Sequence, residues 1–191
     1  PPADNGIKLF VDGVEYDREA ERRVEQRVAA EAAPAEWDAW GDSESVDVLS
    51  AYRDHVAEYA RSAIGGGVPD DRGDTETDRP VPLGGVRVAV DCGNGMGAVA
   101  TPQVLTQLGA TVVALNANVD GHFPARESKP TPETLADVRR YVAEAGDFAL
   151  GIAHDGDADR VVVLDAEGEV VHEDTVLAIL AEHFVRTSGV A

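Results

Sequence analysis

The chain has 191 residues, 43% of them hydrophobic, which is enough for one large domain or for two small ones with separate cores. Asp and Glu number 36 against 16 Lys and Arg, so the formal net charge is −20 and the sequence pI is near 4.4. This charge argues against nucleic acid and membrane surfaces as partners, because phosphate backbones and anionic lipids attract Lys and Arg.

The apolar content is too high and too well patterned for a disordered chain, although lysine is scarce. Lys8 and Lys129 are the only lysines. This composition predicts a halophilic protein, because salt at 1 M screens charge repulsion beyond about 3 Å.

The single cysteine, Cys92, excludes an intramolecular disulfide and a thiolate metal cluster, and a reducing cytosol is the default environment. No window approaches the roughly 18 consecutive apolar residues of a membrane span, and residues 1–5 do not form a signal peptide. We therefore expect a cytoplasmic protein.

The first third of the chain predicts a strand and two helices. Residues 7–11 are apolar and end at the turn dipeptide Asp12-Gly13, which predicts a strand and a turn. Residues 17–33 favour a helix that Pro34 stops. Residues 48–63 predict a second helix, because apolar residues recur at spacings of three and four. Its predicted apolar face consists of Leu49, Tyr52, Val56, Tyr59 and Ala63.

Residues 65–83 are rich in Gly, Pro and charge, which predicts a linker between two domains. Beyond it, strands alternate with helices, which predicts a layered α/β sandwich with a mixed sheet. Thr101, followed by Pro102, is predicted to cap a helix. Thr131-Pro132 is predicted to open another, which ends at Gly146. The predicted strands are 86–90, 111–115, 148–153, 161–164 and 170–171, and the last predicted helix is 174–186.

An acidic loop separates two of these predicted strands. Asp155, Asp157 and Asp159 occupy alternate positions in it. Their mutual repulsion is costly unless a cation neutralises it, and carboxylate oxygens suit Mg²⁺ or Ca²⁺. From these residues alone, a metal site and a solvated acidic turn both remain open.

An EF-hand is the rival metal-binding interpretation, because its loop also begins with alternating acids. The pattern fails where the EF-hand loop needs Gly and Glu, since Arg160 and Ala166 occupy those positions. Arg160 instead favours phosphoryl chemistry, because a guanidinium beside a cation can bind phosphoryl oxygens in bidentate fashion. A local ion pair with a neighbouring Asp is the simpler alternative for Arg160, and both can hold at once.

A glycine-rich turn follows the strand at 86–90. Gly93, Gly95 and Ala98 satisfy a relaxed dinucleotide-binding fingerprint. The acid expected at the end of the next strand is missing, because Asn116 and Asn118 stand there. A tight strand-to-helix turn is therefore the favoured interpretation, and nucleotide binding is the weaker one.

Three segments together resemble the α-D-phosphohexomutase superfamily, which includes phosphomannomutase, phosphoglucomutase and phosphoglucosamine mutase. Residues 155–160 (DGDADR) resemble its metal-binding loop, and residues 91–97 (DCGNGMG) resemble its glycine-rich turn in the second domain. Residues 1–8 (PPADNGIK) resemble the stretch that follows its phosphoserine motif. The resemblance spans nearly the whole chain in the family's order.

The resemblance implies specific roles for five residues. It makes Asp155, Asp157 and Asp159 the ligands of Mg²⁺, with a phosphoserine completing the shell. It places Arg160 beside the transferring phosphoryl group and gives Lys8 a part in proton transfer at the sugar hydroxyl, as a Lys with a lowered pKa could perform. An aromatic residue is common in the family where this chain has His154, which we expect to be structural.

The resemblance also implies a reaction and a domain division. The reaction moves phosphoryl between positions 1 and 6 of a hexose phosphate through a phosphoserine and a sugar bisphosphate. Residues 1–64 would be the C-terminal part of a first domain, and residues 84–191 would form the second domain, which carries the metal-binding loop. Residues 65–83 would be the linker between them. The phosphoserine would precede Pro1, so we expect catalysis to need the remainder of the chain. The alternative is an acidic metal-binding module without enzymatic activity.

Overall fold

The computed structural model describes residues 7–30, 36, 38–39, 41–65 and 81–188. The chain divides into two compact units, residues 1–46 and residues 47–191. Most of the predicted linker and the end of the first predicted helix lie outside the described residues. Among the described residues, no helix is long and apolar enough to cross a membrane.

In the first unit, the described residues form a short hairpin and one helix. Strands β1 (Phe10–Val11) and β2 (Val14–Glu15) pair antiparallel across a two-residue turn. Asp12 and Gly13 both have positive φ, as a tight hairpin turn requires, so the predicted turn is confirmed. Helix α1 (Arg18–Ala29) follows, and the Asp17 side chain caps it by accepting from the amides of Glu19 and Ala20.

The second unit is built around a five-stranded mixed sheet of order β4-β3-β5-β6-β7. The first three strands in that order are parallel, and β6 and β7 are antiparallel additions. The predicted mixed sheet is therefore confirmed. Its strands are β3 (Arg87–Asp91), β4 (Thr111–Leu115), β5 (Leu150–His154), β6 (Val161–Leu164) and β7 (Val170–Val171).

The described part of this unit contains four α-helices, and the alternating side chains of β3 pack against helices on both sheet faces. Val88 and Val90 pack with Ala98 and Leu105 on one face. Ala89 packs with Val138 and Val142 on the other face. The predicted layered sandwich is confirmed. The helices are α2 (Leu49–Gly65), α3 (Thr101–Gln107, after a 3₁₀ turn at Met96–Val99), α4 (Ala136–Ala145) and α5 (Glu173–Ser188).

The predicted apolar face of α2 is wrong in part. Tyr52 and Tyr59 are 56% and 71% exposed, whereas Ala57 is fully buried against Val104 and Leu108. The small side chain of Ala57 lets α2 approach α3 closely. The buried face of α2 is therefore the one that fits against α3, and not the one that carries the largest apolar side chains. This helix belongs to the same compact unit as the sheet, and the domain limits inferred from composition stay a prediction.

The predicted threonine cap of α3 is wrong, and α4 begins later than predicted. At α3 the cap position is Ala100, and the Thr101 hydroxyl lies 3.0 Å from His154 Nε2 instead. At α4 the regular helix begins only at Ala136, because Thr131 and Thr134 exchange hydrogen bonds between their hydroxyls and amides in a local turn. The predicted end is confirmed, since Gly146 adopts the left-handed conformation there.

Candidate metal centre

The carboxyl ends of the three parallel strands meet at one edge of the sheet. In α/β sheets this edge is where ligands bind, because the loops that leave the strands converge there. Here the loop after β3 is the glycine turn (residues 92–97), and the loop after β5 is the acidic loop (residues 155–160). The loop after β4 extends from residue 116 into the segment that contains Arg126.

The three aspartates of the acidic loop converge. Single carboxylate oxygens of Asp155, Asp157 and Asp159 all lie within 4.8 Å of one another. Asp155 is 2% exposed at the base of the loop, and the other two are exposed. Ala158 has φ +62 between them, so the chain turns sharply and directs alternate side chains to the same place.

Arg160 is the counter-charge of this cluster. Its Nε donates to Asp155 Oδ2 at 2.7 Å and lies 3.4 Å from Asp159 Oδ1, and its backbone amide donates to Asp155 Oδ1 at 3.2 Å. Burial raises the pKa of Asp155, but the hydrogen bonds and charge of Arg160 outweigh it, so the pKa lies below its ordinary value. Asp155 is therefore an anion at neutral pH.

Three hard oxygen donors with this spacing fit a divalent cation. Oxygens bound to one Mg²⁺ at about 2.1 Å lie no more than about 4.2 Å apart, so rotating the two exposed side chains slightly would bring all three into range. Asp155 already accepts two hydrogen bonds but keeps lone pairs for a metal. The donor set contains no sulfur or imidazole, which favours Mg²⁺ over zinc or copper.

The glycine turn supports the acidic loop, and its amides at residues 93–96 are not free to bind a phosphate. The amides of residues 93–96 each donate within the protein: Gly93 to Asp91 Oδ1, Asn94 to the Asn116 carbonyl, Gly95 to the Cys92 carbonyl and Met96 to the Gly156 carbonyl. A pyrophosphate would need such amides free. The structure thus agrees with a tight strand-to-helix turn.

Glycine is required in this turn because other parts of the chain lie against it. A Cβ on Gly95 would lie 2.5 Å from the Gly156 carbonyl oxygen, and a Cβ on Gly97 would lie 2.8 Å from the His154 ring. Neither neighbour can retreat without moving the acidic loop. The glycine turn and the acidic loop, which are far apart in sequence, are therefore in direct contact.

His154 supports the far end of the acidic loop. Its Nδ1 lies 3.2 Å from the Arg160 carbonyl oxygen, and its Nε2 lies 3.0 Å from the Thr101 hydroxyl. A carbonyl can only accept, so Nδ1 donates to it, and the Thr101 hydroxyl can pair with Nε2 as donor or as acceptor. The ring thus joins α3 to the end of the loop, as the structural role predicted for it requires.

Two functional-site residues were missed by the sequence analysis. Asp91 is fully buried at the end of β3, and the Arg126 side chain is 5% exposed beside it, with Arg126 Nε 2.6 Å from Asp91 Oδ2. An acid that ends an apolar strand was a signal for Asp91, because a buried carboxylate needs a partner. Arg126 is 35 residues away, so no spacing in the sequence links it to Asp91.

Lys8 belongs to the first compact unit. Its ammonium lies 3.9 Å from a carboxylate oxygen of Glu15, and its side chain is 74% exposed. This contact is an ordinary surface ion pair. The catalytic role implied for Lys8 stays a prediction.

Comparisons with known proteins agree with this fold. Residues 74–168 match the family model of phosphoglucomutase/phosphomannomutase α/β/α domain II. A protein named probable phosphoglucosamine mutase from Methanopyrus kandleri is 40% identical over 190 residues, which cover 99% of this chain and 38% of the relative. A phosphopentomutase from Thermococcus kodakarensis is 36% identical, with 99% of this chain and 38% of the relative covered.

Solved structures of similar proteins share the fold of this chain. A phosphoglucomutase/phosphomannomutase family protein from Burkholderia thailandensis superposes with a TM-score of 0.62 at 26% identity, covering 91% of this chain and 32% of that one. A proposed phosphomannomutase from Thermus thermophilus has the same fold, with a TM-score of 0.66 at 24% identity, covering 91% of this chain and 36% of that one.

The fold is that of an α/β domain from an enzyme family of sugar-phosphate mutases. The chain belongs to the α-D-phosphohexomutase superfamily, as its three motifs indicated. It spans less than two-fifths of the length of the curated relatives described above.

Proposed function

We propose that this chain holds the metal for phosphoryl transfer between positions 1 and 6 of a hexose phosphate. The observation that carries the proposal is the convergence of three aspartates, with Arg160 beside them, at the carboxyl edge of a phosphohexomutase domain. We propose that the cation is Mg²⁺, because the donors are hard oxygens. When bound, Mg²⁺ would neutralise negative charge on the phosphoryl oxygens.

Arg160 orients the phosphoryl group in this proposal. Its side chain is 63% exposed, and among the described residues its terminal amino groups make no hydrogen bond, so they can donate to two phosphoryl oxygens. Asp155 fixes the Nε end of the guanidinium, which limits the directions in which those amino groups can point. Such positioning is the main contribution that a protein makes to phosphoryl transfer.

The remaining parts of the reaction belong to other residues. We propose that a phosphoserine elsewhere in the whole protein donates the phosphoryl group through a sugar bisphosphate, and that Lys8 assists proton transfer at the sugar hydroxyl. Relatives carry the names phosphoglucosamine mutase and phosphopentomutase, so the sugar has to be found by assaying several phosphates. We also propose a cytoplasmic location, where such phosphates are available.

Asp157→Asn in the full-length protein tests this function. The substitution removes one metal-binding charge at an exposed position, so we expect Mn²⁺ and Mg²⁺ affinity, measured by titration calorimetry, to fall by about tenfold or more. Mutase activity on glucose, mannose and glucosamine phosphates should fall with it. Asp137→Asn is the matched control, because Asp137 is an 87% exposed aspartate on α4 that should leave both quantities unchanged.

Two results would contradict the proposal. Wild-type activity with undiminished metal binding in Asp157→Asn would mean that the acidic loop is a solvated turn. Metal binding that depends on Asp157, without mutase activity in the full-length protein on any sugar phosphate, would favour a non-enzymatic metal-binding module.

A further inference from the structure

The guanidinium of Arg126 joins three parts of the site. Its Nε donates to Asp91 Oδ2 at 2.6 Å, and one terminal nitrogen donates to the His154 carbonyl at 2.6 Å. The other terminal nitrogen lies 3.0 Å and 3.4 Å from the carbonyl oxygens of Glu127 and Ser128. A single buried side chain thus contacts the end of β3, the end of β5 and its own loop.

The partner of Arg126 is held rigidly. Asp91 Oδ1 accepts from Asn116 Nδ2 at 2.7 Å and from the Gly93 amide at 3.1 Å, so both carboxylate oxygens are occupied. A buried ion pair with its remaining lone pairs satisfied has one favourable geometry. The guanidinium therefore has little freedom to move relative to the strands.

The contact with the His154 carbonyl matters because His154 directly precedes the acidic loop. Arg126 fixes the backbone at the point where the chain leaves β5 and Asp155 begins. The glycine turn leaves room for this, since a Cβ on Gly93 would lie 2.5 Å from the guanidinium. Further along the loop, the Met96 amide donates to the Gly156 carbonyl at 2.9 Å and His154 Nδ1 lies 3.2 Å from the Arg160 carbonyl oxygen. Arg126 therefore fixes the start of the loop, and these two contacts transmit that position to the exposed Asp157 and Asp159.

The geometry points to Arg126 as the positioning residue of the metal loop. We infer that its bond to the His154 carbonyl, with Asp91 as its support, sets the spacing of the three aspartates and thereby the affinity for the divalent cation. This inference rests on the metal site proposed above. It assigns Arg126 no contact with metal or substrate, and its effect is exerted through the loop backbone.

Arg126→Gln in the full-length protein is the direct test. Loss of a residue that orients metal ligands typically lowers metal affinity about 10- to 100-fold, and we expect that loss for Mn²⁺ measured by titration calorimetry. Amide hydrogen exchange measured without metal should become faster in residues 155–160. The guanidinium contact with the His154 carbonyl is absent in this variant, whereas all three aspartates remain.

Arg139→Gln is the matched control, because Arg139 plays the corresponding part at another loop. Its Nε donates to the Gly168 carbonyl at 3.0 Å and its guanidinium pairs with Glu169, so it holds the β6–β7 turn. Arg139→Gln should speed exchange near residues 165–170 and leave Mn²⁺ affinity and residues 155–160 unchanged. A general loss of stability would instead affect both loops in both variants.

A second pair of variants covers the case in which Arg126→Gln does not fold, since it leaves the buried Asp91 without its counter-charge. Asp91→Asn/Arg126→Gln removes both charges together and should show the same faster exchange in residues 155–160 and the same weaker Mn²⁺ binding. Arg126→Lys retains a positive charge without the fork of donors and should recover part of the affinity.

The outcomes separate this inference from the proposed function. If Asp157→Asn loses Mn²⁺ affinity while Arg126→Gln and the double variant keep it, with unchanged exchange in residues 155–160, Arg126 has no positioning role. If wild type binds no Mn²⁺, the proposed metal site fails. In that case the exchange measurement still decides whether Arg126 orders the acidic loop.

Discussion

Strained backbone conformations concentrate at the carboxyl edge of the sheet. Among the described residues, four of the five non-glycine positive φ angles lie in the loops that meet there. A non-glycine residue in this region costs of order 1–3 kcal/mol, which the surrounding contacts must offset. Such strain is typical of sites where side chains are held for function. The four residues are Asn94, Asn116, Phe123 and Ala158.

Cys92 is buried at the same edge, next to the carboxylate of Asp91. Burial, and then the negative charge of Asp91, raise the pKa of the thiol to about 11, although Arg126 opposes this. The folded state therefore retains the thiol proton at a pH where the unfolded chain has lost it. This contribution to stability is present below about pH 9 and is lost as the pH rises through 11.

Cys92→Ala should therefore flatten the alkaline decline in stability. From pH 8.5 to pH 11, we expect the free energy of unfolding of the wild type to fall by about 2 kcal/mol more than that of Cys92→Ala. Urea unfolding at several pH values would measure the difference. Parallel pH profiles for the two proteins would show that the thiol is not protected in the folded state.

Helix α2 is held to the rest of the second unit by its packing against α3. Ala57 is fully buried in a cluster with Val104 and Leu108. Arg53 and Arg61 flank it and donate to the carbonyls of Val99 and Gln107 at 2.7 Å and 2.8 Å. These bonds occupy carbonyls in and near α3 while the small residue allows close approach.

Ala57→Leu should overpack this contact. A larger side chain in a filled core typically costs about 1–3 kcal/mol, and we expect that loss in the free energy of unfolding. Ala51→Leu, on the exposed part of the same helix, should stay within about 0.5 kcal/mol of the wild type. Equal effects from the two substitutions, in chemical unfolding, would mean that α2 does not pack on α3 in solution.

The net charge of −20 acts on the molecule as a whole. Like charges repel over a Debye length of about 10 Å at 0.1 M salt, and at 1 M that length falls to about 3 Å. The compact state concentrates the charges more than the unfolded chain does, so screening favours folding. The predicted halophilic character therefore means that the folded state should be more stable at high salt.

Raising KCl from 0.1 M to 2 M should therefore stabilise the protein. We expect a gain of at least about 1 kcal/mol, which for a chain of this length is a rise in Tm of about 2–4 °C. Sucrose at equal osmolality is the control, because it does not screen charge. A Tm that rises equally in sucrose, or not at all in KCl, would contradict the electrostatic origin.

The sequence by itself determined the local features. Hydrophobic periodicity and the positions of Gly and Pro predicted the bounds of the strands and of most helices in the second unit to within a few residues. These bounds were predictable because they depend on residues that are neighbours along the chain. Alternate aspartates on a loop between strands left a metal site and a solvated acidic turn both open, and the motif resemblance favoured the metal site. The motif resemblance gave the family, which the comparisons confirm.

Tertiary structure decided what depends on residues distant along the chain. The sequence could not show that Thr101 pairs with His154 rather than capping its helix, that α2 buries Ala57 rather than its tyrosines, or that Arg126 reaches Asp91. Each is a choice between partners of similar local propensity, and only packing in three dimensions makes one of them lower in free energy.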